Sequence, residues 1–545
     1  FKQKTAYEIM PSLVGSEMCI RDRFIPIIFE RSVVRKINLD RSITSILGYL
    51  SEVSNIAATS FSGSLPILLS KSNYSELPML SENIYLLSTS SEAQARLSAQ
   101  YAVNILGYKN KTVIMPLGFD EKVFKFHEKK IDNNKFKKVG IVGAGIQGIS
   151  NALFLQKKGF NVTIFDRDEP GSPAASYGNA GHFSPYASVS LNRTDVITDI
   201  PAMLLSSRGP LALKWNYVPK MIPWFTKFLL NCSTKKMMHT TKYMHQILDI
   251  ALPAFDELFE NVDVSGLIEN KGVLYIWDKS NLKSRELEIR LRDELGVKQK
   301  VLNPKEIHDL EPNIKQFYHG GVYYDYARHA KNPKKILTKL FDHFIEGGGK
   351  FLKLEIKDVD FDNKKPVVRS DAQRFIFDKL VIACGAFSKR LTDQLHEKIP
   401  LDTERGYHVH FKDMEHLISR PVIFLDRGFG MTPMNQGLRA VGTVELGGLK
   451  NPPSKKRIDY IVKCAKELLP QLETHEDEWL GFRPTLPDFL PILGPSLKNE
   501  NIIYAFGHHH LGWTLGAITG KIISGIVAGE KTNLDLSPYS SKRFN

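Results

Sequence analysis

The stretch 138–148 carries three glycines at the spacing G-x-G-x-x-G, namely Gly143, Gly145 and Gly148. This spacing is typical of the turn between a strand and a helix that holds the diphosphate of a dinucleotide. The first glycine allows a tight turn, the second lets the backbone approach the diphosphate, and the third lets the helix pack against the strand. The N-terminus of that helix would bind the phosphates with its free N–H groups.

An acidic residue follows this motif at the distance that a dinucleotide fold requires. Asp166 lies 18 positions after Gly148, at the end of the β-rich run 161–166. A carboxylate at this point binds a ribose 2′-hydroxyl and disfavours a 2′-phosphate, which argues against NADP. A lone G-x-G-x-x-G could be an ordinary glycine-rich turn, but the order strand, turn, helix, strand and acid predicts dinucleotide binding.

Four further motifs, in a fixed order along the chain, indicate which dinucleotide the protein binds. The loop SPAASYGNAGHFSP (172–185) follows Asp166, where an NAD enzyme would usually continue with another βα unit. It is followed by VIACGAFS (381–388), GFRPTLPD (481–488) and GHHHLGWTL (507–515). Together these stretches resemble the motifs of the D-amino-acid oxidase/dehydrogenase superfamily of FAD enzymes, most closely bacterial D-amino-acid dehydrogenases. The resemblance covers residues 137–533.

The resemblance implies that the cofactor is FAD. Some relatives attach their flavin through a cysteine near the C-terminal loop, and no cysteine lies near 507–515, so we expect FAD to be held non-covalently. The family motifs imply contacts to FAD from these residues: Gly143, Ala144, Gly145, Ile146, Gln147, Gly148, Asp166, Arg167, Ser176, Asn179, Ala180, Gly181, Ile356, Ala383, Gly385, Gly512, Trp513 and Thr514.

An amino acid substrate needs a cation for its carboxylate, and the guanidinium fork fits a carboxylate best. Arg483 is the first candidate, with a structural ion pair to Asp488 as the alternative. Arg405 is the second candidate, with a surface ion pair as its alternative, and Tyr407 could donate a hydroxyl to the carboxylate. Tyr324 ranks third.

Three consecutive histidines, His508–His510, lie in the last motif. Consecutive side chains on a loop point in different directions, and no acid or cysteine is near in sequence, so the spacing argues against a metal site. The resemblance implies instead that His508 or His510 lies beside the flavin ring.

The resulting functional prediction is FAD-dependent oxidative deamination of a D-amino acid to a 2-oxo acid and ammonia, by hydride transfer from Cα to flavin N5. The electron acceptor could be a quinone, another carrier or O₂. Sarcosine, glycine, D-hydroxyproline or another amine stay open as substrates. A tRNA-modifying or non-catalytic flavoprotein is the alternative from a different class.

These residues must be positioned by an α/β fold. We expect a Rossmann-type FAD-binding domain with a parallel sheet, from 137–190, 350–395 and 480–530. It is interleaved with an antiparallel-sheet α+β substrate domain, from 191–349 and 396–479, and residues 534–545 form a tail. Four prolines are expected to break helices in the substrate domain: Pro201, Pro210, Pro219 and Pro223.

The stretch 511–528 is apolar but contains Lys521 and four glycines. This composition argues against a membrane span and favours a helix packed under the flavin.

The N-terminal quarter has a different character. Residues 1–23 resemble a translated sequencing-adapter read and are excluded from fold prediction. Residues 24–124 suggest one βα unit of an additional α/β fragment, with strands at 84–87 and 112–117 and a helix at 92–106. The Lys- and Asn-rich run 125–136 is predicted to be a linker.

Composition sets broad limits on the protein. The 545 residues, 42% hydrophobic, suffice for more than one core. The 73 Lys+Arg against 59 Asp+Glu are spread along the chain, which argues against a nucleic-acid partner. The four cysteines show no C-x-x-C or metal spacing and fit a reducing compartment. We therefore expect a cytoplasmic protein, with peripheral contact to the inner membrane left open.

Overall fold

A computed structural model describes residues 138–172, 174–194, 197, 209–279 and 282–545, and the backbone of two short strands before them. The chain divides into two compact units, 1–130 and 131–545. In the first unit the two short strands, Leu47–Gly48 and Leu68–Leu69, pair in parallel. The helix and strands expected within 84–117, and residues 1–23, lie outside the described residues.

The elements of the second unit follow in chain order. The helices are α1 (Ile146–Lys157), α2 (Val218–Leu230), α3 (Thr234–Leu248), α4 (Ala251–Phe259), α5 (Leu282–Glu294), α6 (Pro304–Leu310), α7 (Pro333–Glu346), α8 (Ser388–Gln394), α9 (Lys455–Leu468) and α10 (Gly516–Ala528). The strands are β1 (Lys138–Val142), β2 (Asn161–Asp166), β3 (His182–Phe183), β4 (Leu211–Leu213), β5 (Ile268–Glu269), β6 (Val273–Trp277), β7 (Lys300–Leu302), β8 (Gly320–Tyr324), β9 (Arg328–Ala330), β10 (Lys350–Lys353), β11 (Asp358–Asp362), β12 (Lys365–Arg369), β13 (Arg374–Ile376), β14 (Lys379–Ile382), β15 (Asp402–Lys412), β16 (Val422–Phe424), β17 (Phe429–Met434), β18 (Gly437–Leu446), β19 (Glu476–Thr485), β20 (Ile492–Pro495) and β21 (Ile502–Phe506).

The predicted dinucleotide-binding sheet has the strand order β10-β2-β1-β14-β21-β20. The first five strands are parallel and β20 is antiparallel to β21. Strands β1 and β14 lie in the middle and are almost wholly buried, which explains why they consist of continuous apolar runs. This sheet brings together segments that are about 360 residues apart in sequence.

Helix α10 lies within the stretch 511–528, where the sequence predicted a helix. It packs against α1 on one face of this sheet. A Cβ atom on Gly520 would lie 2.6 Å from the Ser150 carbonyl oxygen, and one on Gly516 would lie 2.7 Å from Ile146. Glycines four residues apart therefore let the two helices approach closely. Helix packing therefore explains Gly516 and Gly520, whereas a Cβ atom on Gly512 or Gly525 would make only ordinary van der Waals contacts.

The second large sheet has the order β19-β15-β18-β17-β16-β6-β8-β7, with β4 paired to β18. Most neighbours are antiparallel, as predicted for the substrate domain. Helix α9 covers one face through a core that includes Tyr407, Val409, Phe424 and Ile461. The opposite face is left for the site described below. The predicted mixed α/β fold class is confirmed for the described second unit.

Two local predictions differ from the structure. Residues 358–376 do not return to the parallel sheet, because β11, β12 and β13 form a separate three-stranded antiparallel sheet. Pro223 does not break a helix but lies inside α2. A proline removes one backbone hydrogen bond and crowds the preceding turn, and here the buried face of the helix outweighs that cost. Pro219 is the second residue of the helix, in the first turn, where its missing N–H costs nothing.

Candidate active site

A cavity of about 1320 Å³ lies between the carboxyl ends of β1, β2 and β14 and the uncovered face of the second sheet. Ligand pockets usually enclose about 300–1,000 Å³, so this cavity has room for a dinucleotide and a small substrate together. Most of the residues predicted to bind the cofactor line it: Gly143, Ala144, Gly145, Ile146, Gln147, Asp166, Arg167, Ser176, Asn179, Ala180, Ile356, Ala383, Gly385, Gly512 and Trp513.

The turn between β1 and α1 explains the spacing of its glycines. Gly143 has φ +112°, which an L-residue rarely adopts, and its amide donates to the Phe165 carbonyl at 2.7 Å. A Cβ atom on Gly148 would lie 1.8 Å from the Gly143 carbonyl oxygen. The first and third glycines therefore hold the turn and the helix in contact. Gly148 itself does not line the cavity.

Asp166 ends β2 beside this turn. Its carboxylate accepts from the Ala144 amide at 2.6 Å and from the Asp168 amide at 3.1 Å. Burial raises the pKa of Asp166, and these two hydrogen bonds partly offset that increase. The side chain thus lies at the cavity wall, where the sequence predicted a ribose contact.

The start of α1 is tied to two distant loops. The Ile146 amide donates to Ser176 Oγ at 3.0 Å, and Gln147 Nε2 donates to the Gly512 carbonyl at 2.7 Å. The glycine motif, the 172–185 loop and the 507–515 stretch therefore meet at one helix N-terminus. Such a terminus favours negative charge, as a diphosphate requires.

Two further residues predicted to contact the cofactor support the cavity from behind its wall. Gly181 pairs its carbonyl with the Ala330 amide at 2.7 Å. Thr514 Oγ1 accepts from the Ser184 amide at 2.9 Å and donates to the His182 carbonyl at 3.2 Å. The Thr514 contacts hold the 176–185 loop against the 507–515 stretch, and the Gly181 contact holds it against β9.

Arg483 lies on β19 and reaches over Gly406 of the neighbouring strand. Its Nη1 donates to the Thr443 carbonyl at 3.0 Å, and it lines the cavity. Burial lowers the pKa of its guanidinium, and the nearby Glu404 opposes that change. Asp488, the alternative partner of Arg483, pairs instead with Arg543, with Nε and Oδ2 2.5 Å apart.

Glu404 is a carboxylate in this cavity that the sequence analysis missed. It is the cross-strand neighbour of Arg483, is buried and lines the cavity. Burial raises its pKa, and Arg483 partly offsets the increase. The buried cavity wall therefore presents a cation and a carboxylate side by side. The sequence signal that could have found Glu404 is the alternation of side chains along its strand, because Glu404 and Arg405 must point to opposite faces.

Arg405 and Tyr407 lie on the face of β15 that points away from the cavity. Both side chains are fully buried and neither lines the cavity. Tyr407 Oη donates to Glu445 Oε2 at 2.6 Å, and Arg405 Nε lies 3.2 Å from the same oxygen. Alternate side chains of a strand point to opposite faces, so Glu404 and Gly406 face the cavity instead. The structure thus places Arg405 and Tyr407 in a buried ion cluster, away from the other candidate catalytic residues.

Replacing Tyr407 by phenylalanine should lower the free energy of unfolding by about 1–3 kcal/mol, because Glu445 then loses a buried donor. The Michaelis constant of the FAD-loaded enzyme should stay within about twofold of wild type, since the ring is outside the cavity. Thermal unfolding and steady-state kinetics measure the two effects separately. A large increase in Michaelis constant at unchanged stability would restore Tyr407 as a substrate contact.

The three histidines occupy different environments. His508 Nε2 bonds to Thr519 Oγ1 at 3.0 Å, while the rings of His509 and His510 pair through their Nδ1 atoms at 3.0 Å. The His510 ring is exposed to the cavity but lies deep in the protein. Burial is the larger cause, and the positive charge of Arg483 the smaller, that lowers the pKa of His510 to about 4. The ring beside Arg483 is therefore neutral at pH 7. Among the described residues, no group of three or more His, Cys, Asp or Glu side chains could hold a metal.

Aromatic residues that the motifs did not reveal also line the cavity. Trp479 fits between Gly178 and Gly481 and stacks on His408 at 4.8 Å. Tyr275 also lines the cavity, whereas Tyr324 lies behind it and stacks on Tyr186 at 3.8 Å. Strand alternation places Tyr275 toward the cavity, but no motif identifies it.

One end of the wall carries an arginine cluster around Glu288. Arg193, Arg285 and Arg292 approach its carboxylate at 2.8, 3.1 and 3.2 Å. Burial alone would raise the pKa of Glu288, but Arg292 and the other two arginines lower it to about 2. Arg285 also pairs with Asp426 at 3.2 Å, so three arginines face two carboxylates and one positive charge is left over at this end of the cavity.

Comparison with known proteins identifies the family. The pattern of the DAO family, described as FAD dependent oxidoreductase, matches residues 138–526. The chain belongs to this family. It is an FAD-dependent oxidoreductase, and the D-amino-acid oxidase/dehydrogenase resemblance of its motifs is confirmed.

Named relatives of this oxidoreductase agree with that assignment. A D-amino-acid oxidase of Bradyrhizobium diazoefficiens is 33% identical over 414 residues, which cover 74% of this chain and 98% of the relative. A D-amino acid dehydrogenase of Vibrio atlanticus is 25% identical over 414 residues, which cover 74% and 99%. Among solved structures, glycine oxidase of Geobacillus kaustophilus superposes with a TM-score of 0.57 at 21% identity, covering 75% of this chain and 99% of its own. At that identity the structure shows the fold alone.

The cavity of this oxidoreductase fits FAD by its own chemistry. Two buried polar atoms of lining residues, Trp513 Nε1 and Gln147 Oε1, have no protein partner in the described part of the chain. Buried polar groups are normally hydrogen-bonded, so a ligand is expected to satisfy them. The helix N-terminus at Gly145 and the acid at Asp166 suit the diphosphate and the ribose.

FAD should leave the protein completely on acid precipitation. Of the cysteines described, Cys384 alone lines the cavity, and it donates its thiol to the Val142 carbonyl. Burial raises the pKa of this thiol to about 12, so it is a poor nucleophile at neutral pH. The absorbance of the acid supernatant measures released flavin. The control is denatured protein to which free FAD has been added. Yellow colour retained in the washed pellet would show a covalent bond.

No helix in the described residues is long and apolar enough to cross a bilayer.

Proposed function

We propose that the protein oxidises the Cα–N bond of a D-amino acid, which yields an imino acid that water converts to a 2-oxo acid and ammonia. The observation that carries this proposal is the pair of Arg483 and Glu404 in the wall of the cofactor cavity. A 33% identical relative named D-amino-acid oxidase supports the choice of substrate class.

Arg483 is the proposed carboxylate anchor. Its guanidinium lines the cavity and donates one N–H to the Thr443 carbonyl. The remaining N–H donors can then bind a ligand. A bidentate pair with the substrate carboxylate would fix one end of an amino acid. Glu404, its cross-strand neighbour, balances the charge of this cation in the free enzyme.

Glu404 is proposed to receive the substrate ammonium group. An amino acid carries both charges, and the cross-strand pair offers one complementary group for each. The raised pKa of Glu404 makes it a better proton acceptor than an ordinary carboxylate, which favours the neutral amine that oxidation needs. FAD, when bound, supplies the two-electron acceptor for this reaction.

His510 is proposed to border the reacting centre as a neutral ring. Its low pKa keeps it uncharged at pH 7, so it adds no positive charge beside Arg483. The neighbouring Trp513 and Trp479 give the cavity apolar walls. A dry, shaped site of this kind orients a substrate and strengthens the charged contacts.

The electron acceptor is proposed to be a quinone, another carrier or O₂. The named relatives include both an oxidase and dehydrogenases, and the cavity wall does not discriminate between them. Oxygen consumption and reduction of a quinone analogue, measured with the same amino acid, would separate the two classes of acceptor.

The test is anaerobic reduction of the bound flavin by a panel of amines. Absorbance near 450 nm, about where oxidised flavin absorbs, should bleach with one or more D-amino acids and not with their L-enantiomers. Glycine, sarcosine and D-hydroxyproline in the same panel test the alternative amines. Bleaching by an alternative amine alone would replace the proposed substrate, and no bleaching by any amine would favour the non-catalytic or tRNA-modifying alternative.

A further inference from the structure

Helix α2 exposes apolar side chains on the side that faces solvent. Met221, Trp224 and Phe228 of this helix are buried in a small core, and Trp224 Nε1 donates to the Thr485 carbonyl at 3.2 Å. Ile222 and Leu230 on the outer side are 57% and 65% exposed. A surface helix normally carries polar residues on its outer side, so this helix breaks the pattern.

The exposed apolar residues continue along the helix and into the short turn that precedes it. Leu229 lies seven positions after Ile222 and therefore shares its face. Trp215, in the short helical turn just before α2, is 81% exposed. We call Trp215, Ile222, Leu229 and Leu230 the α2 face. Other exposed apolar residues are far from it in sequence, such as Val301 on β7 and Leu497 in the loop between β20 and β21.

The charged residues of the chain segment that contains the α2 face have one sign, and acidic partners from other segments contact it at Lys214, Tyr217 and Tyr243. From position 209 to position 248 the chain contains six lysines and no Asp or Glu. Lys220 and Lys227 lie on the flank of the helix, and Lys236 Nζ reaches the Leu230 carbonyl at 2.9 Å. Lysines beside an exposed apolar helix surface attract anionic lipid head groups while the apolar side chains enter the interface.

The size of the α2 face favours a bilayer over a protein partner. A helix of 13 residues is about 20 Å long and 10 Å wide, so its face covers roughly 200 Å². Stable protein interfaces bury about 800 Å² on each partner, whereas a bilayer surface accepts a single helix without shape complementarity.

We infer that the α2 face docks on the surface of an anionic phospholipid bilayer, with the helix lying in the plane of the interface. Tyr217 and Lys220, at the start of α2, also line the cofactor cavity, so docking places the cavity beside the membrane. A lipid-soluble electron acceptor or an apolar amine could then enter from the bilayer. The docking itself does not depend on the proposed substrate.

The test is co-sedimentation of the full-length, FAD-loaded protein with vesicles of phosphatidylcholine, with and without phosphatidylglycerol. The wild-type protein should pellet with the anionic vesicles at low ionic strength and be released by salt. The triple variant Trp215→Ser, Ile222→Ser, Leu230→Ser should bind at least about tenfold more weakly, because it loses the inserted side chains. The variant Lys227→Gln, Lys235→Gln, Lys236→Gln should lose about fivefold for each lysine.

The matched control is the triple variant Val301→Ser, Ile376→Ser, Leu497→Ser, which removes exposed apolar residues elsewhere and should bind like wild type. Bound-flavin absorbance confirms that each variant is folded. Failure of the wild type to pellet, equal binding to uncharged vesicles, or equal loss in the control variant would overturn the inference. Self-association in lipid-free light scattering that only the α2 variant abolishes, without vesicle binding, would assign the face to a protein contact instead.

Discussion

Replacing Arg483 by alanine is expected to reduce kcat/KM by 30- to 5,000-fold, which corresponds to about 2–5 kcal/mol for truncating one partner of a buried charge pair. The loss has two causes. The substrate carboxylate loses its bidentate partner, and Glu404 is left as a buried charge beside it. Arg483→Lys keeps the charge but not the fork, so it should weaken the substrate complex less.

The measurement is anaerobic flavin reduction over a range of substrate concentrations. The matched control is Arg427→Ala, which removes a half-exposed ion pair to Glu467 outside the cavity and should change little. FAD should remain bound in all three variants. Normal substrate saturation in the alanine variant would contradict the assignment and move the anchoring role to the arginine cluster around Glu288.

Replacing Gly148 by alanine should weaken FAD binding by about a hundredfold or more. The new methyl group would lie 1.8 Å from the Gly143 carbonyl oxygen, so the turn must open by more than an ångström. Overpacking of this kind costs about 3 kcal/mol or more. Because Gly143 begins the turn that presents the helix N-terminus, the cost falls on the diphosphate site.

The matched control is Gly525→Ala in α10, where an added Cβ atom meets only Glu530 at 3.5 Å. That change should keep FAD and stabilise the helix slightly, since alanine is the better helix former. Flavin content after purification and the FAD titration of the apoprotein measure the effect. A yellow Gly148→Ala protein with wild-type affinity would show that the helix can shift without disturbing the site.

The sequence alone determined the parts of this protein that depend on local spacing. The turn at Gly143, the helix from Ile146 and the acid at Asp166 lie within one strand–helix–strand unit, so the positions of its glycines reveal its geometry. The later motifs, around Gly385 and Gly512, were recognised because a family preserves their order. Both the local spacing and the order of the motifs can be read without knowing which strands are neighbours.

The tertiary structure decided which side chains share the cavity. Strand alternation puts Arg405 and Tyr407 on one face of β15 and Glu404 on the other, but only the packing of α9 shows which face is covered. The same holds for Arg483, since Asp488 is near in sequence yet pairs with Arg543. A charged side chain pairs with the opposite charge that lies nearest in space. That distance depends on how the sheets pack, so it cannot be read from the sequence.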